Sequence, residues 1–140
     1  MSDIAGADDL IATARESLLR DVLPALPKDR RYAALMIANA MAIASREAIE
    51  GVAAAAWEAE QLGSLLARAG VAQDGSHATS ERLPALRMAM KEAIRAGRFD
   101  APSHANAVST SLLEITRARV AISNPKALRP DEIRPAEGGS

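Results

Sequence analysis

From Asp29 to Glu47 the chain reads Asp-Arg-Arg-Tyr-Ala-Ala-Leu-Met-Ile-Ala-Asn-Ala-Met-Ala-Ile-Ala-Ser-Arg-Glu, with neither glycine nor proline in the run. A segment of that length, built mostly from strong helix formers, reads as helix. Its one amide, Asn39, stands in the middle of apolar neighbours, and Arg46 follows two turns later. Tyr32, Asn39 and Arg46 recur at seven-residue spacing and so fall near one face, since two helical turns hold about 7.2 residues. If that face is buried, the amide and the guanidinium must find partners. The three residues are therefore the first candidate for a ligand site or a structural polar network.

The rest of the composition extends the helical reading. Alanine accounts for 32 of the 140 residues, while Trp, Tyr and Phe occur once each. Alanine has the highest helix propensity and leaves little side chain between neighbouring helices, which favours close-packed helices over sheets. The length suits one domain able to bury a core without disulfides or metal. An all-α fold follows: a compact antiparallel bundle of four to five helices with a long second helix. The expected organisation is one bundle domain over residues 1–128, with a Pro-, Gly- and charge-rich tail over 129–140 that is flexible or loosely docked.

Helix boundaries follow from local chemistry. A first helix begins near Ala7 to Asp9 and carries Ile11, Ala14, Leu18 and Val22 at helical spacing, flanked by Leu19 and Leu23; Pro24 stops it. Asp29 is placed to cap the second helix. Gly51 then offers two outcomes, a break or bend, or one helix running on to Ala69, and the first is the expectation taken here. The run Gln73 to Thr79 is the longest internal loop. Thr79 or Ser80 caps the next helix, with Pro84 in its first turn and Leu83, Leu86, Met90 and Ile94 as its core stripe. Gly97 ends that helix. Asp100 and Pro102 announce the last one, whose ridge is Val108, Leu112, Ile115 and Ile122, and Pro125 closes it.

The chain offers little chemistry. Its formal charge of −1 is spread without a basic block, which argues against nucleic acid. No cysteine is present, so disulfides and thiolate chemistry are absent. His77 and His104 lack ligand-spaced partners, so no metal site is expected, and no phosphate-binding glycine loop suggests a nucleotide cofactor. Glu58 and Glu60 stand two apart and face different directions. Glu16 and Arg20 read as an i,i+4 surface pair. The acidic start and the short Tyr32–Ser45 run do not suit a signal peptide or membrane span, and a cytoplasmic protein is expected.

For the stripe two readings stand side by side. In one, Tyr32, Asn39 and Arg46 line an interhelical pocket that orients an anionic or acyl ligand, the arginine offering its planar fork. In the other, Asn39 bonds a neighbouring helix and Arg46 pairs with Glu16, Asp21 or Glu114. Trp57 is read as core filler, with a pocket wall or an interface anchor as the other readings. The alanine faces at Ala38 to Ala44 and Val52 to Ala56 can pack within one chain or between two copies in a homodimer.

Four segments taken in order carry a family resemblance. They are Ala14-Arg-Glu-Ser-Leu-Leu-Arg-Asp-Val-Leu-Pro-Ala-Leu26, Tyr32 through Glu47, Ile94-Arg-Ala-Gly-Arg-Phe-Asp100, and Arg119-Val-Ala-Ile-Ser-Asn-Pro-Lys126. The chain resembles a bacterial family of small helical domains of unknown function, encoded beside or fused to phosphotransferases of the aminoglycoside-kinase type and near acyl-CoA dehydrogenases. Members of that family often carry a proline after the glycine corresponding to Gly51, where this chain has Val52. The resemblance supplies no catalytic residues. It implies a non-catalytic accessory protein that binds or regulates a kinase-like partner in acyl-CoA metabolism.

Overall fold

The computed structural model describes residues 6–73 and 79–129. Among them every regular element is helical. Helix α1 spans Ala7–Ser17 and passes into a π-helical turn, Leu18–Val22, and a 3-10 turn, Leu23–Ala25. Helix α2 spans Lys28–Arg68, α3 Thr79–Arg95 and α4 Pro102–Ser123, with a final 3-10 turn at Pro125–Ala127. The fold is all-α, and α2, at 41 residues, is by far its longest element. The predicted tail beyond Arg129 and the loop histidine His77 lie outside the described residues.

Several boundaries differ from expectation for local reasons. Helix α2 runs unbroken through Gly51; the cost of about 1 kcal/mol for one helical glycine is small against the alanines on either side. It starts at Lys28, so Asp29 lies inside the first turn, where its charge meets the positive end of the helix dipole. The chain before Pro24 widens instead of simply stopping, and the Leu23 N–H bonds the Leu18 carbonyl five residues back. Pro24 has no N–H to offer Arg20 and would press its ring on that carbonyl in a plain α-helix. Pro84 lies in the second turn of α3, since the helix already includes Thr79.

Two helix ends share one device. The Val71 N–H bonds the Leu66 carbonyl at 2.9 Å and Gly70 N–H the Ala67 carbonyl at 3.1 Å, with Gly70 at φ 74°. Arg98 and Gly97 repeat the pattern on Ala93 and Ile94, with Gly97 at φ 75°. This is the Schellman arrangement, which needs a residue tolerant of positive φ at its turn. Pro102 opens α4 as the sequence predicts.

The chain forms two compact units. The first comprises Met1–Val52 with Ile122–Asn124, the second Ala53–Ala121 with Pro125–Ser140. In the first, Arg15 Nε donates to the Ala38 carbonyl at 3.0 Å and Ser45 Oγ to the Asp8 carbonyl at 3.4 Å. Rising numbers on α2 thus meet falling numbers on α1, so the two helices are antiparallel. Small residues, Ala34 and Ala38, are buried on α2, whereas α1 buries no residue at all. Its expected stripe is only half covered at Ile11, Leu18, Leu19 and Leu23, and Ala14 and Val22 are exposed.

The second unit holds the hydrophobic core. Ala59, Leu62, Leu65 and Leu66 of α2 pack with Leu83, Leu86, Met90 and Ala93 of α3, with Phe99, and with Val108 and Ile115 of α4. Ala93 takes the place expected for Ile94, which is exposed, because the buried positions of α3 step 83, 86, 90, 93. Trp57 packs partly buried against this core.

Candidate functional site

The sequence-selected stripe lies on the first half of α2. Tyr32 is 73 % exposed and Asn39 is also exposed, while Arg46 is half-buried. The Arg46 Nε donates to the Ile122 carbonyl at 2.6 Å, so one donor of its fork is committed to the end of α4. That carbonyl lies in the last helical turn, where no following helical N–H reaches it. The stripe carries further apolar residues: Leu35 and Met36 lie exposed beside Tyr32 and Asn39. What the structure brings together here is thus an apolar surface with an amide in it.

The strongest polar feature was not singled out by sequence. In the second unit, Arg87 of α3 donates from Nε to Glu58 Oε1 at 2.8 Å and from Nη2 to Oε2 at 2.9 Å. The Glu58 side chain is 7 % exposed and that of Arg87 40 %. The hydrogen bond to Glu58 raises the Arg87 pKa above its ordinary value; desolvation opposes this and Coulomb attraction to the same carboxylate adds to it. A carboxylate fully occupied by a guanidinium fork is a clamp between helices rather than an acid–base group. Glu60, two residues on, is exposed, as the helical geometry requires.

A groove of about 660 Å³ borders the other side of α2 in this unit, lined among others by Glu60, Gly63, Ser64, Gln73 and Arg82. Arg82 lies close against Gly63, whose missing side chain leaves room: a Cβ there would stand 3.2 Å from Nη2. Arg82 Nε is buried and finds no hydrogen-bond partner among the described residues. The contacts 58 to 87 and 63 to 82 also show that α2 and α3 run antiparallel in this unit. His104 stands near the start of α4, its ring 6.5 Å from Phe99 at 65°, an edge-on packing contact. Glu16 and Arg20 form the surface pair at 3.4 Å. No group of three potential metal ligands gathers among the described residues, and no helix there is long and apolar enough to cross a membrane.

Residues 24–127 match the model of a domain of unknown function, DUF6285. That segment covers most of the chain, including the whole of α2, α3 and α4, and the chain belongs to this family of uncharacterised domains. Neither a curated protein nor a solved structure matches it.

Proposed function

We propose that the chain is a non-catalytic helical accessory protein of the cytoplasm, and that it binds and regulates a phosphotransferase of the aminoglycoside-kinase type acting in acyl-CoA metabolism. One observation carries the accessory role. Of the eleven large apolar residues exposed among the described residues, eight belong to the first unit: Leu10, Val22, Tyr32, Leu35, Met36, Ile37, Ile49 and Val52. Single exposed apolar residues are ordinary, but such concentration on one small unit is typical of protein-binding surfaces. The second unit, in contrast, gathers the core and satisfies its buried carboxylate internally. The nature of the partner rests on the family resemblance of the four sequence segments.

The alternative, an anionic or acyl ligand at Tyr32, Asn39 and Arg46, has less support. Arg46 Nε is already bonded to Ile122, and the other two residues lie on open surface.

Co-expression with a phosphotransferase of the aminoglycoside-kinase type from the same genome tests the proposal. The expected result is a complex that survives gel filtration at micromolar concentration and alters the kinase's turnover or stability. Separate elution, with kinase activity unchanged by added chain, would count against it.

A further inference from the structure

We infer that the exposed stripe of α2 is a self-association surface, on which a second copy of the chain packs antiparallel with Asn39 at the two-fold axis. The inference rests on reading the first unit as a docking element and names the occupant of one of its faces.

The pattern on α2 is that of a helix–helix seam. With Tyr32, Asn39 and Arg46 as the first positions of successive heptads, Leu35, Ala42 and Ile49 fall at the fourth and Met36 and Ile43 at the fifth. These are the positions two helices interleave. Helix α1 contacts α2 elsewhere, at Ala38 and Ser45, and the end of α4 holds Arg46 through the Ile122 carbonyl, so the seam is exposed at Tyr32, Leu35, Met36, Asn39 and Ile49 and half-covered at Ala42, Ile43 and Arg46. Tyr32 is 73 % exposed, Leu35 49 %, Met36 49 % and Ile49 64 %. Large side chains offer roughly 150–200 Å² each, so these four leave on the order of 400 Å² of apolar surface uncovered. Apolar atoms make up about 60 % of an interface, which implies ~700 Å² per copy. A standard stable interface takes ~800 Å² per partner.

Charge selects both the occupant and its direction. In an antiparallel pair centred on Asn39, residues equally far before and after it face each other. Lys28 then meets Glu50 of the second copy, both being exposed and eleven residues from the centre. Tyr32 meets Arg46, whose Nε stays on the Ile122 carbonyl while the terminal nitrogens of its fork face the ring, and Leu35 meets the half-buried Ile43. Asn39 meets itself, and a primary amide, having both donor and acceptor, can satisfy its own copy. A parallel pair would instead set Arg46 against Arg46, and like charges in contact are costly. A polar residue at one such central position fixes register and orientation, at some loss of affinity. Ile37 and Val52 lie off the stripe and remain for another partner.

The test uses the full chain alone, by light scattering on gel filtration and by sedimentation equilibrium. The expected species has twice the 14.7 kDa chain mass. Leu35→Glu should weaken association by at least ~30-fold, as for a central interface residue, with helicity by circular dichroism unchanged. Lys28→Glu and Glu50→Lys should each weaken it about fivefold, and the double variant should restore it. Because the chain has no cysteine, Asn39→Cys provides a single site that a short bismaleimide should cross-link to its copy. A monomer at 100 micromolar overturns the inference, as does a dimer indifferent to Leu35→Glu or one whose charge reversal is not rescued. A monomer that still binds the phosphotransferase removes the dimer and leaves the accessory function standing. A rescued dimer that ignores the phosphotransferase does the reverse.

Discussion

Arg87 grips Glu58 with two parallel hydrogen bonds, at 2.8 and 2.9 Å, yet the pair is lopsided: the acid is buried and the base reaches water. Losing the arginine strands a carboxylate in the core, whereas losing the acid frees a guanidinium that can turn outward. Arg87→Ala should therefore cost about 2–3 kcal/mol and Glu58→Gln about 1 kcal/mol. Urea unfolding of the two variants at one fixed protein concentration measures both. Equal costs would mean that the carboxylate is hydrated after all.

Alkaline pH should leave this clamp intact. The folded-state pKa of Arg87 is raised, so its contribution is complete below the guanidinium's ordinary value and fades only as pH climbs above it. The gap in melting temperature between the native chain and Arg87→Ala should stay constant from about pH 7 to pH 10. A gap that closes within that window would assign the stabilisation to another group.

Leu66 is fully buried in the core of the second unit. Truncation to alanine removes its transfer energy and leaves a void, at a cost of about 3–5 kcal/mol. Leu113, half exposed on α4, should lose under about 1 kcal/mol on the same change. Similar losses at both sites, by denaturant titration, would contradict the assigned core.

Gly51 can be improved upon. An alanine Cβ there would fall 2.5 Å from Glu47 Oε1, the far end of an exposed and flexible side chain. Once the carboxylate swings away, the helix keeps the gain of replacing glycine, about 0.5–1 kcal/mol. A fall in stability for Gly51→Ala would show that the carboxylate is held in place.

Much of the fold could be read from local rules. Gly97 and Pro102 mark helix ends because their backbone chemistry fits nothing else, and Leu83, Leu86 and Met90 follow the helical period. Gly51 misled because a single glycine shifts the balance by less than its neighbours supply. Ile94 misled because the buried edge of α3 drifts to Ala93, and only the packed neighbours decide between adjacent residues. The Glu58–Arg87 pair was out of reach for a different reason. Its members lie 29 residues apart on separate helices, and no local periodicity links them. For Tyr32, Asn39 and Arg46, periodicity placed the residues on one face but carried no information on whether anything covers it.

The wide turn at Leu18–Val22 changes what sequence variation the first unit can absorb. A turn closed by a five-residue step holds one residue more than an α-turn, so deleting one residue there removes the surplus and keeps the orientation of the helix that precedes it. The same deletion in Ala7–Ser17 would instead rotate every preceding side chain by about 100° and carry Asp8 and its carbonyl away from Ser45. Length differences among relatives in this helix should therefore concentrate at those five positions.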